Sequence, residues 1–193
     1  MPNWCNNAVV ISHTDQSKLE ALAAAAREGK FCEFICPVPQ ELVETVAGFK
    51  GEDEREAHEA QQKANREKFG YAHWYDFCVN EWGTKWGIDP YDPEDAVVKD
   101  GKLEFGFDSA WAPPLGIYEK MIEQGYDVKG YYWEPGMGFC GMYDNEFGDD
   151  YYEIGGMKSA EVAETIPKDL DEMMNISEDM AQWEDENEED ADE

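Results

Sequence analysis

The chain has 193 residues, 42% hydrophobic and 13% aromatic, which is enough for one sizeable core and one domain with an appendage. Fifteen Lys and Arg stand against 45 Asp and Glu, a formal net charge of -30. Self-repulsion at that level keeps a chain soluble but opposes compaction. It also argues against a grip on nucleic-acid backbone, which needs cations to displace counterions, and makes a basic surface the fitting partner.

Taken in order, Ala8-Val9-Val10-Ile11 is a β-branched run and predicts a strand. Thr14 or Asp15 can cap a helix over residues 16–28, whose apolar face is Leu19, Leu22, Ala23 and Ala26, with Gly29 as the stop. Phe31-Cys32-Glu33-Phe34-Ile35-Cys36 reads as a second strand, closed by Pro37-Val38-Pro39. Residues 40–47 predict a short helix, broken across residues 48–51. Residues 52–68 are good helix formers with almost no large apolar side chain, so they predict a projecting, solvated helix. Trp74, Phe77, Cys78 and Trp82 fall at helical spacing and predict docking on the core.

The centre of the chain carries two tryptophan motifs, Asn80-Glu81-Trp82-Gly83-Thr84-Lys85-Trp86-Gly87 and Phe107-Asp108-Ser109-Ala110-Trp111-Ala112-Pro113-Pro114. Residues 84–88 read as a short strand. Asp100-Gly101 signals a tight hairpin, followed by an alternating strand through Leu103, Phe105 and Phe107. Pro113-Pro114 opens a helix that runs to Gly125. Strands follow at residues 128–133, 138–143 and 150–154, the first two joined by Glu134-Pro135-Gly136. Asp169 onward holds 13 acids and no base, so the last ten residues are expected to be disordered. Residues 169–183, with Leu170, Met173, Ile176 and Met180, suit an amphipathic acidic helix.

The expected fold is α+β: a ferredoxin-like plait, an antiparallel sheet with helices on one face. It would span residues 1–156 with a helical insertion at 48–82, followed by an acidic C-terminal extension at 157–193. The start of the chain has neither the basic stretch nor the apolar run of a secretory leader. No window has the length of a membrane-spanning helix, and the five cysteines lack a repeated spacing. The expectation is a cytoplasmic protein with reduced thiols.

Four motifs in this order resemble the YubB-type ferredoxin-like family: Met1-Pro2-Asn3-Trp4-Cys5-Asn6-Asn7, Asn80-Glu81-Trp82-Gly83-Thr84-Lys85-Trp86, Phe107-Asp108-Ser109-Ala110-Trp111-Ala112-Pro113-Pro114 and Glu134-Pro135-Gly136-Met137-Gly138-Phe139-Cys140-Gly141. The resemblance covers residues 1–156. It implies the plait and a setting in phages, conjugative plasmids and related mobile elements, and it carries no catalytic residue.

Large aromatics mostly serve as core, so Trp82, Trp86 and Trp111 are expected to plug the sheet, with Lys85 and Trp86 the pair to watch. Cys32 and Cys36 share a face of the expected strand, but this is not the spacing of a zinc knuckle. Neither a catalytic constellation, a metal site nor a cofactor is expected. The excess of carboxylates is what folding explains least. It leads to a non-enzymatic protein that occupies the basic groove of a host nucleic-acid-binding defence protein, of the anti-restriction or anti-CRISPR type, by imitating spaced phosphates. The acidic surface expected to bind is Glu52, Asp53, Glu54, Glu56, Glu59 and Glu67 in the insertion; Asp144, Glu146, Asp149 and Asp150 near the last strands; and Asp169, Asp171, Glu172, Glu178 and Asp179 in the extension. No membrane association and no direct nucleic-acid binding are expected. The alternative is a single-stranded nucleic-acid module that stacks bases on Tyr131, Tyr132, Trp133, Phe139 and Tyr143.

Overall fold

The computed structural model describes residues 3–48 and 51–191, with the backbone alone for 188–191. Met1 and Pro2 of the first motif, Phe49 and Lys50 of the expected break, and Asp192 and Glu193 of the tail lie outside the described residues.

The molecule is α+β. Its strands are β1 (Trp4–Ser12), β2 (Val98–Lys99), β3 (Lys102–Ala110), β4 (Asp127–Glu134), β5 (Phe139–Asp144) and β6 (Gly148–Glu153). They form one sheet in the order β2-β3-β1-β4-β5-β6, antiparallel at every pairing. Antiparallel pairing of β1 with both neighbours makes β3 and β4 parallel to each other across it. The helix α6 (Leu115–Glu123) connects that split pair. In β1, Cys5, Asn7, Val9 and Ile11 are buried, while the alternate residues are exposed or half-buried, as a two-faced strand requires. Asp100 (φ 51) and Gly101 (φ 75) turn β2 into β3 in the left-handed region that a two-residue hairpin needs.

One face of the sheet packs on α1 (Gln16–Arg27) and α6. Leu19, Leu22, Ile117, Tyr118 and Met121 meet Val9, Ile11, Leu103, Phe107 and Val128 in one core. Asp15 caps α1 by accepting the Ser17 N–H at 2.9 Å. Four further helices, α2 (Phe31–Ile35), α3 (Gln40–Val43), α4 (Arg55–Phe69) and α5 (Trp74–Phe77), and a π-helical segment (Cys78–Trp82) extend this layer.

The other face carries a second core. Tyr131, Cys140 and Ile154 pack with Val162, Leu170 and Ile176 from α7 (Ser159–Thr165), α8 (Lys168–Met174) and α9 (Ile176–Ala191), and with Ile166, which caps the end of α7. The expectation of helices on one face only is therefore corrected, because the acidic extension buries an apolar stripe against the sheet. Residues 169–183 are two helices rather than one, broken at Asn175 (φ 54). The end of the chain, expected to be disordered, is helical as far as Ala191.

Two expected strands are absent. Residues 31–35 form α2: Phe31, Cys32 and Ile35 are buried while Glu33 and Phe34 are exposed, a helical rather than an alternating pattern. An apolar run this short fits either period. Residues 84–88 are an irregular segment. Gly83 (φ 82) turns the chain there, and the buried Thr84 spends its hydroxyl on the Ala110 N–H at 3.1 Å.

Candidate functional site

The two tryptophan motifs meet β1 at one end of the sheet. Trp82 is 2% exposed and its indole N–H donates to the Cys36 carbonyl at 2.8 Å, so it is core as expected. Trp86 and Trp111 are not core. They are 39% and 41% exposed, and Trp4, at the start of β1, is 47% exposed. The three indoles form a ladder, with ring centroids 6.0 Å apart between Trp4 and Trp86 and 6.5 Å apart between Trp86 and Trp111. The Lys85 ammonium lies 4.3 Å from the Trp86 ring centroid, 5.7 Å from Trp111 and 5.5 Å from Tyr75, within cation–π range. Trp4 was missed from the sequence, although β1's alternation sends Trp4 outward once Cys5, Asn7, Val9 and Ile11 face in.

The ladder is held by buried polar side chains. Asn7 Nδ2 donates to the Ser109 hydroxyl at 2.9 Å, and that hydroxyl donates to the Ala112 carbonyl at 2.7 Å. The Trp111 N–H donates to the Asn3 carbonyl at 3.0 Å. These bonds fix Trp111 at φ 68, a backbone region costly for a residue with a bulky side chain.

Beside the ladder is a cavity of about 330 Å³ bounded by Trp4, Trp86, Tyr91, Asp89 and Asp108. The Tyr91 ring lies against Gly106, where an added Cβ would sit 2.9 Å from two ring carbons. Its hydroxyl donates to Asp108 Oδ1 at 2.7 Å. Burial and the Asp108 carboxylate push the Tyr91 phenol above its ordinary pKa.

The acidic residues expected to bind do not share one surface. Glu52, Asp53, Glu54, Glu56, Glu59 and Glu67 are exposed on and before α4, in the α1–α6 layer. Residues 52–69 also hold Arg55, Lys63, Arg66 and Lys68, so six acids and four bases leave only -2. Arg55 pairs with Glu59 at 2.8 Å and Lys63 with Glu67 at 4.0 Å. Helix formers rich in i,i+4 pairs explain this composition without a partner.

The other two groups come together only in part: α7–α9 pack on the face of β4 and β5 that Asp144 and Asp150 share, while Asp149, opposite Tyr143 in the register, lies on the other face. Residues 130–193 carry 21 acids and two bases, a net -19 of the chain's -30. Several of these carboxylates also hold structure. Asp144 accepts the Glu146 and Phe147 N–H groups, Asp149 the Tyr132 hydroxyl at 2.6 Å, and Asp150 the Tyr152 hydroxyl at 2.5 Å. Asp171 accepts the Ser177 N–H at 2.7 Å and Glu172 pairs with Lys168 at 3.1 Å. Asp169 pairs with Lys129 at 2.9 Å, and that hydrogen bond lowers its pKa. Glu146, Glu178 and Asp179 are exposed, the last two in the first turn of α9.

A larger apolar cavity of about 760 Å³ opens between β4 and α9, with Trp133, Ile154, Met157, Met180 and Trp183 among its walls. It and the smaller cavity lie on one row of the sheet, since Asn6 faces Asp108 on one side and Trp133 on the other. Of the five aromatics of the stacking alternative, Tyr131, Tyr132 and Tyr143 are buried and unavailable to a base. Burial pushes the thiols of Cys5, Cys78 and Cys140 up to about 12, so they are protonated at neutral pH and poor nucleophiles. Among the described residues no group of three or more His, Cys, Asp or Glu is placed to hold a metal ion. No helix of the described residues is long and apolar enough to cross a membrane.

No protein-family model matches the chain, and no curated protein matches it. Among solved structures it is similar to the protein api92 from Yersinia pseudotuberculosis, described with the family model DUF1281, at 11% identity over 81% of this chain and 99% of that one. The TM-score is 0.38, a likeness too weak to carry an argument about fold or function.

Proposed function

We propose that the chain is a non-enzymatic, acidic binding protein of a phage or other mobile element. It works in the host cytoplasm by occupying the basic groove of a nucleic-acid-binding defence protein. The observation that carries this reading is the polarity of its charge. Residues 130–193 hold 21 acids against two bases on adjoining elements, while residues 1–129 hold 24 against 13. Of the 40 acidic side chains described, 34 are exposed, so the charge faces a partner rather than the core. Exposed carboxylates at this density suit fast, salt-sensitive association with a basic groove.

The fold behind it is read as a ferredoxin-like plait whose second strand has shrunk to β2. Strands β1 and β2 run parallel either side of β3, and β3 and β4 run parallel either side of β1, which is the interleaving of the plait's two β-α-β halves. On this reading the insertion separates α1 from β2, and β5 and β6 are added at the far edge. The mobile-element setting follows from the four motifs. Pull-down from bacterial host lysate at low and high salt tests the function: a nucleic-acid-binding partner should be retained at low salt and released at high salt. Recovery of no such partner at low salt contradicts it.

A further inference from the structure

We infer that the cavity between Trp4, Trp86, Tyr91, Asp89 and Asp108 receives the guanidinium group of an arginine on the basic partner. This rests on the reading that the partner is basic, and it adds the place and the chemistry by which one side chain is held. The cavity, about 330 Å³, is at the small end of ligand pockets, roughly 300–1,000 Å³, and suits one side chain better than a larger ligand. Its walls combine the two features a guanidinium seeks. Trp4, Trp86 and Tyr91 line it with aromatic surface for a planar cation, and Asp89 and Asp108, both exposed, add carboxylate acceptors for its N–H donors, Asp108 through the oxygen that Tyr91 leaves free.

Neither feature alone would identify an arginine. An aromatic ladder by itself suits a base, a sugar or a proline-rich segment, and carboxylates by themselves suit any cation. Together they favour the one protein side chain that is both flat and charged. The ladder already takes a cation, since the Lys85 ammonium lies 4.3 Å from the Trp86 centroid. Lys85 does not line the cavity. The walls are fixed in advance: Tyr91 is seated on Gly106 and bonded to Asp108, and the indoles lean on one another. Such preorganisation lowers the entropy lost on binding.

The test uses the full chain and three synthetic hexapeptides of alternating glycine with arginine, citrulline or lysine. Indole N–H resonances and peptide anisotropy are followed at low salt. The arginine peptide should shift the Trp4 and Trp86 indole signals and bind at least tenfold more tightly than the citrulline peptide, with the lysine peptide between. The double variant Asp89→Asn, Asp108→Asn should lose at least tenfold in affinity. The control Glu20→Gln, Glu123→Gln, which removes the same charge from exposed helix positions, should lose less than twofold. If the arginine peptide binds both variants equally, or shifts only signals elsewhere, or the lysine peptide binds as tightly, the guanidinium site is wrong while the acidic-surface reading stands. If no basic peptide binds at low salt, both fall.

Discussion

Trp111 holds φ 68, a region that suits glycine, and the structure uses that conformation to lay its indole beside Trp86. The fold does not need the side chain for core packing, so its backbone strain and its exposure can be separated. Trp111→Gly should be more stable than Trp111→Ala by about 1 kcal/mol, because both lose the ring and only glycine relieves the left-handed backbone. Urea unfolding of the pair measures this, and equal stabilities would mean the strain is not there. Gly116 presents the opposite case. An added Cβ would lie 2.5 Å from the Glu81 carbonyl oxygen, where α6 crosses the π-helical segment. Gly116→Ala should cost about 2–3 kcal/mol by overpacking, and a neutral result would show that the two elements can slide apart.

At the scale of elements, Glu81 ties the π-helical segment to α6 through Lys120 at 2.5 Å and also accepts the Tyr71 hydroxyl. The bond to Lys120 is the main cause of its lowered pKa, with Tyr71 second. A carboxylate whose pKa is lowered by folding adds stability that is full above its unfolded value, near 4.5, and is lost as pH falls through its folded value. The gap between the native chain and Glu81→Gln should be about 1 kcal/mol at neutral pH and should close as pH falls below 4.5. A gap that widens on acidification would contradict the assignment. The C-terminal helices give a second test. Leu170 is fully buried against the sheet, and Leu170→Ala should cost about 2–4 kcal/mol, whereas a dispensable tail would tolerate it.

Most strands and the helices α1 and α6 were legible in the sequence, because their alternation, caps and turn residues agree with the tertiary packing. The hairpin at Asp100-Gly101 is the clearest example. Residues 31–35 misled because five residues are too few to tell one period from the other. The role of the extension was hidden for a different reason. Leu170, Ile176 and Met180 mark an apolar stripe among 13 acids, but a stripe alone does not say what it covers, and here it is the second face of the sheet. The tryptophan site was half legible: the motifs marked the place, but exposure depended on Gly83 and on the turn at Trp111. The insertion sets four bases beside its six acids, a local balance that the charge of the whole chain hides.

For the whole molecule, net charge works against folding. Carboxylates concentrated on β5, β6 and α7–α9 repel one another, and salt screens that repulsion over about 10 Å at 0.1 M. The midpoint of thermal unfolding should therefore rise as sodium chloride is added from low ionic strength. A steady fall would mean that ion pairs, not repulsion, dominate the surface. The same screening should weaken association with a basic partner, so stability and binding should respond to salt in opposite directions.

The most direct measurement of the central claim is competition. Once a nucleic-acid-binding partner is retained on the immobilised protein, duplex DNA is titrated against the complex at low salt. DNA should displace the partner, and neutralising Glu146, Glu153, Glu178 and Asp179 together should weaken retention far more than neutralising Glu52, Asp53, Glu56 and Glu59. If the partner and DNA bind simultaneously, or the two sets of substitutions act alike, the protein is not occupying a nucleic-acid groove through its acidic flank.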